Sequence, residues 1–163
     1  MMNVRICAPS LSPAGRGFSL VELLIAVAVA VLLATLALPS FLESVRKGRR
    51  SEAFAALAQV QQAQERWRAN RINYAASVSN ASNGDPPGLG LPATTGPGGY
   101  YTLALSNVGS TGYTATATAA SSQADDAKCV KLVVKMDGGS LTNSSFDSAG
   151  TEDTTNANRC WSR

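Results

Sequence analysis

The chain has 163 residues, a hydrophobic fraction of 45%, only 15% charged residues and a formal net charge of +3. That is room for one compact domain and one appended element. There is no histidine, which removes the commonest general base and metal ligand from consideration.

The chain opens on a stretch, residues 1–17, that carries Arg5, Arg16, Cys7 and the helix-discouraging Pro9 and Pro13. Next comes GRGFSLVELLIAVAVAVLLATLALPSF, Gly15 to Phe41. Leu23 to Leu38 holds no charge, and between Phe18 and Phe41 Glu22 is the only ionisable side chain. As a helix that span is roughly 36 Å long, enough to cross a bilayer core. A cleaved secretory signal is the competing reading. It fits poorly, because the run is too long for a signal core and no clean small-x-small site lies near Pro39. A carboxylate at mid-membrane costs about 2.5–3.5 kcal/mol, less near an end. Glu22 therefore either reaches the headgroups or has a positive partner. Cutting after Gly17 would supply one, an α-amine on Phe18 at a helix start that already favours negative charge.

These residues resemble the class III signal of type IV pilins and pseudopilins: Arg16 and Gly17, then Phe18, then a glutamate at the fifth position after the cut. The resemblance implies that a prepilin peptidase cleaves between Gly17 and Phe18 and that Phe18 is N-methylated. It further implies that Glu22 pairs with the terminal amine of a neighbouring subunit, and that Pro39 is the helix-perturbing proline of such stems. Partners would be other pilin subunits, the peptidase and the inner-membrane assembly machinery, and no cofactor is implied. The subunit would sit in the inner membrane with its C-terminal domain periplasmic, and in an extracellular pilus after assembly. A seventeen-residue leader is longer than the half dozen residues common in the short-leader group. Either the leader is long or the start lies further on; Cys7 leaves with it in both cases.

Beyond Pro39 the helical pattern continues. Ala53, Ala56, Leu57, Val60, Ala63 and Trp67 recur at three- and four-residue spacing. One helix over 18–70 follows, roughly 80 Å long, with an assembly half at 18–41 and an amphipathic half at 42–70. Pro39 and Gly48 are its weak points. Arg46, Lys47, Arg49 and Arg50 cluster just after the apolar run. They are expected to be a solvated face or headgroup anchor, or to contact acidic groups of adjacent subunits. By the positive-inside rule they put this side in the cytoplasm, against the orientation that the resemblance implies; the cysteines decide for the periplasm.

Residues 71–99, with SNASNGDPPGLGLPATTGPGG, read as a variable surface connection. Asn80 begins a weak glycosylation match. Over 100–163 the period becomes two. Tyr101, Leu103 and Leu105 share one face, as do Tyr113, Ala115 and Ala117, and then Val130, Leu132, Val134 and Met136 opposite Lys131 and Lys135. A turn at DGG leads to a short run near SLTNS. The fold class is α+β: a long N-terminal helix packed on a four-stranded antiparallel sheet with a C-terminal disulfide loop.

Without the leader two cysteines remain, Cys129 and Cys160. Their even number reads as one disulfide, with two buried thiols as the alternative. A disulfide persists outside the cytoplasm. The loop also resembles the pilin D-region and, with GGYYTL and the terminal CW, PilE-type minor pilins. No catalytic constellation is present, so the chain reads as no enzyme. Asp147, Glu152 and Asp153 lie in a polar loop without calcium-loop spacing. Three functions remain: a major or minor pilin, a type II secretion pseudopilin, or a competence pilin that binds DNA through Lys128, Lys131, Lys135 and Arg159. Against the last, losing the leader's two arginines leaves twelve basic against eleven acidic side chains.

Overall fold

The computed structural model describes residues 17–85, 87–155 and 159–161. The expected leader, with Arg5, Cys7 and Arg16, lies outside the described residues. The chain forms two compact units, Met1–Ser40 and Phe41–Arg163.

Helix α1 runs over Leu20–Arg68 and passes through Pro39 and Gly48. Proline lacks the N–H that would reach the carbonyl four residues back. On either side, the Thr35 hydroxyl donates to the Leu32 carbonyl (2.7 Å) and Ser40 to that of Ala37 (2.9 Å). In the first unit every described residue is exposed, although most of the sequence is valine, leucine and alanine. By length and composition this segment can cross a membrane. In the second unit α1 buries Ala53, Leu57, Val60, Ala63 and Trp67, the spacing that makes one stripe, and adds Arg50 and Gln64 to it.

The sheet contains β1 (Tyr101–Ser106), β2 (Gly112–Ala119), β3 (Lys131–Asp137), β4 (Ser140–Phe146) and β5 (Glu152–Asp153). Each strand pairs antiparallel with the next. There are five strands rather than the expected four. The extra one is a two-residue pairing of Glu152 and Asp153 with Phe146 and Ser145, too short and too acidic to show alternation in sequence. Gly138 and Gly139 (φ 55° and 86°) turn β3 into β4 with Asp137 opposite Ser140, a two-residue loop that needs positive φ at both positions. At Gly112 a Cβ would lie 2.1 Å from the Met136 carbonyl oxygen, so only glycine lets β2 begin there.

The helix-facing side of the sheet carries Tyr101, Tyr113, Ala115, Ala117, Leu132 and Val134, which form the core with Ala53, Leu57 and Val60. Alanines on both layers leave room for the two tyrosine rings. The connection after α1 packs more than its composition suggested. Ala75, Val78 and Thr95 are buried, and the Gln64 amide makes two hydrogen bonds with the backbone of Ala75 (2.8 and 2.9 Å). Isolated apolar residues among Ser, Asn and Gly carry no period, so this part of the core is invisible to pattern.

Candidate functional site

Gly17, Phe18 and Ser19 precede the helix as irregular backbone, Phe18 is 82% exposed, and Gly17 has no atom within 4 Å of where a Cβ would stand. The Gly17–Phe18 peptide bond is thus flanked by exposed residues. Glu22 follows in the first helical turn, where unpaired N–H groups favour a carboxylate.

The basic cluster after the apolar run is not uniformly solvated, as the sequence had suggested. Arg50 is 4% exposed, and its guanidinium grips Asp126 through Nε–Oδ2 (2.7 Å) and Nη2–Oδ1 (2.8 Å). Gln123 completes the site by donating to Asp126 Oδ2 (3.0 Å) and to the Tyr101 hydroxyl (3.1 Å). Burial pushes the Tyr101 hydroxyl up to about 12. Arg49 lies 4.1 Å over the Tyr100 ring and donates to the Ser122 hydroxyl. These two arginines hold α1 to its own domain through the segment between β2 and β3. A bidentate fork on a carboxylate has the geometry that offsets the desolvation of a buried pair.

Cys129 and Cys160 form a disulfide with S–S 2.01 Å and Cα–Cα 5.6 Å. The adjoining Trp161 stacks on Phe54 of α1 (4.9 Å, 20°) and donates to the Ser144 carbonyl (2.9 Å). A cleft of ≈ 350 Å³ beside the disulfide brings together Glu43, Arg50, Lys128, Asp147, Asp153 and Arg159, a lining of both signs. The loop acids cap turns: Asp147 accepts from the backbone N–H groups of Ala149 and Thr151, and Asp153 from the N–H and hydroxyl of Thr155. Those bonds hold the Asp153 carboxyl below its ordinary value. Among the described residues, no group of three or more acids and cysteines converges as metal ligands.

The four basic residues singled out in the sequence line two different clefts. Lys128 and Arg159 line the mixed-charge cleft. Lys131 and Lys135 instead lie on the face of β3 turned away from the helix, in a groove of ≈ 540 Å³ with Thr114, Thr116, Thr142 and Phe146. Lys135 there meets Asp137 at 3.0 Å.

A different basic site, which pattern reading missed, sits where α1 ends. Arg68 donates to the carbonyls of Arg71 (2.8 Å) and Ser110 (3.0 Å) and lies 5.5 Å from the Tyr74 ring. Arg71 stacks 3.7 Å over the Trp67 ring and donates to the Ser82 carbonyl. Both guanidiniums are thus held by carbonyls and aromatic faces, which fix their positions without cancelling their charge. Between Glu65 and Asp85 the sequence carries Arg66, Arg68 and Arg71 and no acid, and between Asp85 and Asp125 it has no acidic or basic side chain at all. That charge asymmetry was the readable signal.

Two family models match the chain. One, described as a prokaryotic N-terminal methylation motif, matches residues 14–38. The other, described as "Type IV minor pilin ComP, DNA uptake sequence receptor", matches residues 39–133, more than half of the chain. A search of curated proteins found no match.

Proposed function

Because the chain belongs to the ComP family of type IV minor pilins, we propose that it displays a DNA-binding surface on the pilus, made by the arginines at the end of α1. As a minor pilin it is anchored in the membrane by the apolar half of α1 and is later extracellular in the pilus. Prepilin peptidase cuts after Gly17 and methylates Phe18, and Glu22 and Pro39 then serve assembly with other subunits.

The observation that carries the DNA reading is the pair Arg68 and Arg71, held at the end of α1 by carbonyls and aromatic rings within the matched segment. Of the four residues singled out in the sequence, Lys135 and Arg159 lie outside that segment and Lys128 and Lys131 inside it, Lys128 in a cleft shared with acids. Arg50 is spent on Asp126, and Arg46 and Lys47 adjoin the half of the helix committed to membrane and filament. With the whole processed chain near neutrality, attraction to a polyanion has to come from a local cluster. Duplex binding by the full-length protein in detergent, followed by mobility shift across a salt series, tests this. Arg68→Ala and Arg71→Ala should each weaken binding across all sequences and reduce the salt slope by about 1. Wild-type protein that leaves DNA unshifted at low salt would refute the reading.

A further inference from the structure

The turn that ends α1, Arg68 to Asn73, reads RANRIN: two arginines, two asparagines and one isoleucine. Ile72 is 78% exposed, more than any other large apolar side chain described in the unit beyond Ser40. A lone exposed apolar residue is ordinary on a protein surface. This one is unusual because its backbone is tied down on both sides. Asn70 and Arg71 donate to the carbonyls of Trp67 and Arg68, and the Trp67 indole donates to the Asn73 carbonyl (3.0 Å). Tyr74 then donates to the Gly109 carbonyl, and Gln64 clamps Ala75. The Arg68 guanidinium is tied to the same turn by its bond to the Arg71 carbonyl (2.8 Å). A β-branched side chain on such a turn has few rotamers left to lose on binding.

Resting on the DNA reading above, we propose that Ile72 is an apolar wedge that enters the minor groove and partly unstacks one base step, while Arg68 and Arg71 hold the flanking phosphates. The chemistry of the turn matches that task. Minor-groove binders combine arginine and asparagine, which read groove width and base acceptors, with an inserted apolar side chain that bends the duplex. Asn70 and Asn73 are exposed on either side of Ile72. Unstacking is cheapest at TA and CA/TG steps, so the wedge confers sequence preference without a major-groove contact.

The test uses full-length protein in detergent and a short duplex with a central TA step. The adenine is replaced by 2-aminopurine, which brightens on unstacking, and the ends carry a resonance-energy pair that reports bending. Wild type should brighten the probe and draw the ends together. Ile72→Ala should bind ~10-fold more weakly with the same salt slope and leave the probe dark, and Ile72→Met should restore both signals. A wild-type complex that stays dark and straight, or Ile72→Ala that brightens like wild type, overturns the wedge while leaving DNA binding intact. If wild type does not bind the duplex at all, the DNA reading falls and the wedge with it. Impaired pilus incorporation of Ile72→Ala with unchanged DNA signals would overturn the wedge in favour of a subunit contact.

Discussion

Tyr101 and Tyr113 stand on adjacent strands and are both buried, yet their hydroxyls are treated differently. The Tyr101 hydroxyl accepts from Gln123, whereas that of Tyr113 has no hydrogen-bond partner among the described residues. An unpaired buried hydroxyl costs about 1–3 kcal/mol, so Tyr113→Phe should leave stability unchanged or raise it by up to about 2 kcal/mol. Tyr101→Phe should lower it by about 1 kcal/mol, because Gln123 then loses a partner. Urea unfolding of the two variants against wild type decides the order, and a Tyr113→Phe protein less stable than Tyr101→Phe would contradict it. Both hydroxyls are pushed by burial from 10.0 to about 12. The folded state therefore prefers the protonated phenols more strongly than the unfolded chain does. Their contribution is fully present below pH 10 and is lost as pH rises through about 12. Tyrosinate absorbance followed alongside unfolding should show ionisation delayed into that window, with a smaller delay in each Phe variant.

At the scale of elements, the C-terminal segment depends on the disulfide. The bond joins Cys129, just before β3, to a segment in which Trp161 also contacts Phe54 and Ser144 and the Cys160 sulfur lies 3.4 Å from the Lys128 carbonyl. Closing a loop across a separation of 31 residues stabilises by on the order of 3–4 kcal/mol in the chain-entropy model. Cys129→Ser and Cys160→Ser should each lose about that much and release Trp161 from its stack, visible as a red-shifted emission. Emission like that of wild type would show that the stack holds the segment unaided. The pair of cysteines was legible in the sequence, as were α1 and the alternation of β1 to β3, because each rests on a local period or on counting. The strand β5, the burial of Val78 and Thr95, and the Arg50–Asp126 fork were not. The strand β5 is two residues long and the buried Val78 and Thr95 stand alone among polar neighbours, so neither shows a period; the fork depends on a distant partner, Asp126 lying 76 residues from Arg50.

For the molecule as a whole, the question is what covers the first half of α1. Residues 17–40 present leucine, valine, isoleucine and alanine to every side, and a helix apolar all round belongs in lipid or among other copies of itself. Apolar packing alone leaves such helices free to slide, and a single charge can fix the register. Glu22, paired in the filament with the Phe18 amine of a neighbour, would supply it. Removing one member of a buried pair strands the other, at a cost of typically about 3–5 kcal/mol. Glu22→Ala should therefore be cleaved and inserted as wild type is, because losing a charge eases insertion, yet enter filaments poorly. Glu22→Asp, one methylene shorter, should fall between. The deciding measurement is the ratio of each variant in sheared pili to its membrane pool. Pilus number is a poor guide, because a minor subunit contributes little to the mass of the fibre. Equal ratios for Glu22→Ala and wild type would show that the carboxylate does not direct assembly. A precursor that accumulates uncut would shift its role to recognition by the peptidase.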